Sequence, residues 1–163
     1  MRDYKIINGD LLDAKADFIC HQVNSQGKMN SGVAKAIRER YPEVYKYYML
    51  MWDAHNKGIV EPPQLLGKAQ YVPIYNYNNL KPPYYCINMF AQDKYGYDGK
   101  QYTSLEAFKS CLEQINLWAK AKTVAFPWKI ACVRGGADWN EVLPLICETL
   151  TDVKEIQFYK LEV

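Results

Sequence analysis

Two rhythms alternate along this chain. Short apolar runs bounded by Gly, Pro, Asn or Asp read as strands; longer stretches with apolar residues three and four apart read as helices. Strands are expected over residues 4–8, 17–24, 68–75, 84–91, 123–130 and 155–161. The run 17–24 holds Phe18, Ile19, Cys20 and Val23 and reads as buried. Over 32–55, Val33, Ala36, Ile37, Tyr41, Val44 and Tyr48 make an apolar helical face. Ser31 is its candidate N-cap, and Pro42 breaks or kinks it. A second helix is expected over 103–121, capped by Thr103 or Ser104, with Leu105, Phe108, Leu112, Ile115 and Trp118 as its buried stripe. A third is expected over 138–150. Residues 58–67, 76–83 and 92–101 read as connections.

Strands interleaved with helices predict an α/β fold, a three-layer α/β/α sandwich with a mixed, largely parallel central sheet. No repeat, low-complexity tract or linker interrupts it, so one domain is expected over residues 1–163. Sheets of this kind bind ligands beyond the carboxyl ends of their strands. Two glycine loops are expected there, between a strand and a helix: Gly27-Lys28-Met29-Asn30-Ser31-Gly32, and 131–137 with Gly135 and Gly136. Such loops let backbone amides approach an anion, and the helix N-terminus adds partial positive charge. Two of them suggest a ligand with two or more phosphates.

Composition narrows the alternatives. A net charge of +2 does not point to general nucleic-acid binding. The five cysteines, Cys20, Cys86, Cys111, Cys132 and Cys147, lack CxxC spacing, which argues against a zinc site or a disulfide framework and for a reducing cytoplasm. No metal or cofactor is expected. The N-terminus lacks a signal-like apolar region, and no apolar run suits a membrane helix. GxGxxG and GxxxxGK[ST] are both absent.

Several residues carry candidate chemistry. Asp10 is either a turn residue bonding its own backbone or a carboxylate accepting from an exocyclic amine. Asn24 ends a strand, where its amide suits either a turn or a ribose. His21 is either a satisfied core histidine or an acid–base group. Cys20 beside it faces the other way in a strand, which makes a Cys–His dyad geometrically poor. Lys28 and Arg134 are either solvated loop charges or phosphate contacts. Trp128, Trp139 and Phe126 suit the core around the second loop, and Tyr159 is a structural tyrosine or a base-stacking one.

Four elements, in order, resemble the macro domain family, which binds ADP-ribose. They are Gly9-Asp10-Leu11; the stretch Asn24-Ser25-Gln26-Gly27-Lys28-Met29-Asn30-Ser31-Gly32-Val33-Ala34, similar to NxxGxMGSGIA; Asn88-Met89-Phe90-Ala91-Gln92; and Pro127 through Trp139, similar to PxxIGCGLGGLDW. The resemblance covers nearly the whole chain. It implies that Asp10 binds adenine N6 with the Leu11 backbone nearby, that Tyr159 neighbours the adenine, and that Asn24 meets the distal ribose. It implies a diphosphate between residues 27–33 and 131–137, including Val33, Cys132, Val133, Arg134 and Ala137. The branch it is most similar to holds de-ADP-ribosylating members and ADP-ribose 1''-phosphate phosphatases. The latter carry a histidine where His21 stands. The Lys–Asp pair of de-glutamylating members falls on Gln92 and Gly135, so their lysyl mechanism is not expected. Asn30, Ala131 and Val133 replace loop glycines, and a β-branched Val133 would resist positive φ.

The resemblance implies first a phosphatase acting on ADP-ribose 1''-phosphate, with His21 moving a proton and Asn24 and Asn88 orienting the ribose. The alternatives are a non-catalytic ADP-ribose-binding module, or a hydrolase removing ADP-ribose from protein or nucleic acid. Expected partners are accordingly ADP-ribose, its 1''-phosphate or an ADP-ribosylated macromolecule, with no membrane.

Overall fold

The computed structural model describes residues 1–58, 65–74, 84–93 and 100–161. Strands β1 (Lys5–Asn8), β2 (Phe18–Asn24), β3 (Ala69–Ile74), β4 (Tyr84–Gln92), β5 (Thr123–Pro127) and β6 (Glu155–Lys160) form one sheet in the order β1-β6-β5-β2-β4-β3. Each neighbouring pair is parallel except β3 with β4. The alternation of strand and helix thus gives the mixed, largely parallel sheet it predicted.

Helices α1 (Gly32–Arg40) and α2 (Pro42–Asn56) cover one face of the sheet; α3 (Leu105–Trp118) and α4 (Trp139–Thr149) cover the other. Strand alternation divides the core between them. Ile19 and Val23 of β2 join Ile37, Val44, Tyr48 and Phe90 on the α1–α2 side. Phe18 and Cys20 join Phe108, Leu112, Val142 and Ile146 on the α3–α4 side. Fully burying each large aliphatic side chain stabilises the fold by about 1.5–3 kcal/mol. His21 and Cys20 accordingly face opposite layers.

Local chemistry explains most element ends. The long apolar helix splits at Tyr41, and Pro42 starts α2, where its missing N–H costs nothing. Ser104 caps α3 by accepting from the Ala107 amide at 3.1 Å, and Asp138 caps α4 through the Asn140 amide at 2.9 Å. Ser31 stands at the N-cap of α1 but makes no side-chain cap bond. The strand expected over 123–130 stops at Pro127, and turns begin at Trp128. A proline cannot donate to a central ladder, which is the physical reason. The turn expected over 76–83, and parts of the connections over 58–67 and 92–101, lie outside the described residues. Among the described residues, no helix is long and apolar enough to cross a membrane.

Candidate functional site

β2 and β5 pair only at Phe18–Val124 and Ile19–Ala125. Beyond that point β2 continues beside β4 to Asn24, whereas β5 stays paired with β6 alone and ends at Pro127. A cavity of about 460 Å³ opens in this fork, walled by residues 21–24 and 127–131. The chain order reverses here: β3 and β4 lie on one side of β2, β5 and β6 on the other. Open α/β sheets bind ligands at such switch points.

Four residues shape the loop after β2. Gly27 has φ +77°, and a Cβ on it would lie 3.1 Å from the Trp52 ring. Only glycine suits both the conformation and the contact. Trp52 donates its indole N–H to the Ser25 carbonyl at 3.0 Å. The buried Tyr48 hydroxyl donates to the Asn24 carbonyl at 2.7 Å and accepts from the Lys28 amide at 3.1 Å. Asn24 itself accepts from the Gln26 amide and donates to the Lys28 carbonyl, each at 3.0 Å. Expected at a ribose, its amide is engaged in shaping its own loop.

The loop after β5 closes on the segment 102–103. The Ala131 carbonyl accepts from the Ala137 amide at 3.1 Å and the Thr103 hydroxyl at 3.0 Å. The Gly135 carbonyl accepts from the Tyr102 and Thr103 amides at 2.7 and 3.0 Å. A Cβ on Gly135 would run into Thr103 Oγ1 and the Ala131 carbonyl, so this position has no room for an aspartate. Val133, expected to resist positive φ, does not adopt it; among the non-glycine residues of this loop φ is positive at Lys129 and Ala131, +56° and +72°. Val133 is exposed at the tip. Trp128 and Trp139 pack edge to face at 5.2 Å, and Trp139 meets Phe158 at 5.4 Å, which anchors the loop at both ends.

The two loops meet across the cavity. Arg134 reaches over Gly32, its Nε 3.6 Å from where a Cβ would stand. Of the residues expected to bind ligand, Asn24, Lys28, Met29, Asn30, Ser31, Gly32, Val33, Gln92, Val133, Arg134 and Gly135 line the cavity, and so does His21. Gly27, Cys132, Gly136 and Ala137 belong to the loops without lining it. The Cys132 thiol donates to the Ile130 carbonyl at 3.4 Å, and burial pushes its pKa up to about 11, so it is not a poised nucleophile.

The group expected around an adenine lies outside the cavity wall. Asp10 accepts from the Leu12 amide at 2.9 Å and caps the short 3-10 turn Leu11–Asp13. Tyr159 lies beside Gly9, and its carbonyl accepts from the Trp128 amide at 2.9 Å. Asn88 is also off the wall, fully buried behind His21. Residues not expected do line it: Gln22, Val23, Ala34 and 127–130. Pro127 at the end of an apolar run was the available signal for the last group. For Gln22 the signal was a lone amide near the carboxyl end of a buried strand.

Charge is distributed unevenly over the wall. Its cations among the described residues, Lys28, Lys129 and Arg134, are exposed, and no described carboxylate lines it. The N-terminus of α1 opens onto it as well, adding amides and partial positive charge. The buried end is uncharged. His21 is 1% exposed, and desolvation lowers its pKa to about 4, partly opposed by a 2.5 Å hydrogen bond with Asn88. The imidazole is therefore neutral near pH 7. Gln92 is buried beside Gln22, which donates to it at 2.9 Å. An anion suits the rim, and a polar neutral group suits the floor.

Residues 20–146 match the sequence pattern of the Macro domain family. The chain belongs to the macro domain family. It is similar to the DNA ADP-ribosyl glycohydrolase of Thermus aquaticus, at 23% identity over 158 residues. That match covers 97% of this macro domain but only 41% of the relative, so the chain spans well under half of that protein. The fold is similar to the macrodomain of Mycobacterium tuberculosis DarG, with TM-score 0.67, 26% identity and coverage of 96% of this chain and 98% of that one. It is also similar to Thermosipho africanus DarTG in complex with ADP-ribose, with TM-score 0.71, 21% identity and coverage of 97% and 41%.

Proposed function

We propose that this macro domain binds ADP-ribose and hydrolyses the bond joining its distal ribose to a macromolecule. One observation carries the reading: a cavity with a cationic, amide-rich rim and a buried, uncharged floor. ADP-ribose has a matching polarity, a dianionic diphosphate followed by a neutral ribose. The diphosphate then lies between residues 27–33 and 131–137, held by loop amides, Lys28 and Arg134. The ribose enters the floor toward His21 and Gln92. Tyr159, joined to the wall through the Trp128 amide, and Asp10 are left to meet the adenine.

Water attacks the anomeric carbon C1'' as the bond to the linked group breaks, and that group leaves with the bonding electrons. The attacking water gives its proton to the neutral His21. A base held near pKa 4 is weak, but an oxocarbenium-like transition state asks little of it. Asn88, turned away from the cavity, positions His21 and does not touch substrate. The name of the Thermus aquaticus relative supports the glycosidic reading. The alternative, phosphate release from ADP-ribose 1''-phosphate, sets a dianion against a floor whose buried side chains are neutral, and the geometry supports it less.

The test is a panel assay. Purified protein is incubated with ADP-ribosylated DNA, ADP-ribosylated protein and ADP-ribose 1''-phosphate, and free ADP-ribose and phosphate are measured. Release of ADP-ribose from a macromolecule, strongly slowed in His21→Ala, is expected. Phosphate release alone would replace this reading with the phosphatase; binding without turnover would reduce it to a reader.

A further inference from the structure

Two hydrogen-bond chains end on the cavity, and both run in a direction their far ends dictate. The first crosses β2, β4 and β3 through directly paired residues, His21 with Asn88 and Asn88 with Gln70. Gln70 Nε2 donates to the Tyr47 carbonyl of α2 at 2.9 Å. A carbonyl only accepts, so Gln70 must present its amide N–H there and turn Oε1 to Asn88. Asn88 then donates Nδ2 to Gln70 at 3.0 Å and turns Oδ1 to His21. His21 must answer with an Nε2–H, at 2.5 Å. Its other nitrogen, Nδ1, is a bare acceptor, buried and without a partner among the described residues.

The second chain starts from the Ala131 carbonyl, which accepts the Thr103 hydroxyl proton at 3.0 Å. Thr103 Oγ1 can then only accept from Gln22, whose Nε2 lies at 2.8 Å and also donates to Gln92. Gln22 Oε1 is left over, again buried and without a partner among the described residues. His21 and Gln22 both line the cavity.

We infer that Gln70, a residue outside the cavity, assigns the imidazole proton of His21, so that the floor offers acceptors and selects a ligand end that is uncharged and rich in hydroxyl donors. An unmatched buried acceptor costs about 1–3 kcal/mol, so a ligand that supplies two O–H groups gains where a phosphate, which brings only acceptors at neutral pH, loses. Gln70 is a positioning residue; its side chain reaches the site only through Asn88. The bound nucleotide's identity rests on the function proposed above; the proton's position does not.

The experiment has two readouts. Nitrogen NMR of protein labelled at histidine is simple to assign, because the chain has only two histidines, His21 and His55. Wild-type His21 should show a protonated Nε2 and an unprotonated Nδ1 throughout neutral pH. Gln70→Met frees Asn88 to turn, and a mixture of tautomers should appear. Calorimetry then compares ADP-ribose with ADP, which lacks the distal ribose. Gln70→Met should weaken ADP-ribose about fivefold to tenfold, the scale of one hydrogen bond, and leave ADP unchanged. A proton on Nδ1 in the wild type overturns the inference, with or without any ligand. So does a folded Gln70→Met protein with unchanged tautomer and an unchanged ratio of the two affinities. If the wild type binds neither nucleotide, the ADP-ribose reading fails, and the NMR result still decides the acceptor floor.

Discussion

Lowering the pH through the titration range of His21 should destabilise the fold by an amount the structure specifies. Burial holds this imidazole at about 4, against 6.5 for a free histidine. The difference corresponds to roughly 3 kcal/mol at about 1.4 kcal/mol per pH unit. Between those two values the unfolded chain binds a proton that the folded chain refuses. Stability therefore falls as pH falls: the contribution is complete above 6.5 and lost progressively towards 4. Below that both states are protonated and no further loss arises from this group. Urea unfolding of the wild type and His21→Gln across this window isolates the effect. Glu155, whose pKa is lowered chiefly by its hydrogen bond with Lys5, also loses its contribution as pH falls, but it is common to both proteins and cancels. Glutamine keeps an N–H for Asn88 and does not titrate. With a slope of about 2–3 kcal/mol per molar urea, the gap between the two midpoints should change by about 1–1.5 M across the window. A gap independent of pH would refute the idea that His21 is held neutral by burial.

Other substitutions probe the loops. Ala131→Gly removes a Cβ from a residue at φ +72°. Left-handed strain of about 1–2 kcal/mol less a glycine entropy cost of about 0.5–1 kcal/mol should leave a rise in Tm of about 2–3 °C, measured by calorimetry. A fall in Tm would show that the loop does not hold this conformation. Gly135→Ala places a methyl group against Thr103 Oγ1 and the Ala131 carbonyl. It should cost about 1–3 kcal/mol in thermal stability and most of the nucleotide affinity, and a wild-type melt would contradict the packing. Arg134→Ala should weaken ADP-ribose about tenfold at low salt, with a smaller loss at high salt. Equal affinities at low salt would remove Arg134 from the diphosphate.

Legibility in the sequence followed the range of the forces involved. Helix faces, the break at Pro42 and the cap at Ser104 depend on neighbours within a turn or two, and they are readable from spacing and residue type. Both glycine loops were visible for the same reason. Features hidden from the sequence depended on distant partners. Val133 could be read as a residue that resists positive φ, but only the closure of Ala131 onto Ala137 and Thr103 decided that Ala131 takes the left-handed turn. Asn24 had a free amide on paper, and Tyr48, Lys28 and Gln26 occupy it in the fold.

By itself, then, the chain's pattern determined an alternating α/β architecture and the strand ends at which its glycine loops stand, because periodicity and turn chemistry are local. Only tertiary structure decided that β5 lies beside β2 and parts from it after two paired positions, which brings the loops onto one cavity. It likewise decided which nitrogen of His21 is bare, since that depends on Asn88, Gln70 and a helix carbonyl brought together only by strand order. Strand pairing and burial are long-range, and the chemistry of a buried polar group is set by whatever they bring beside it.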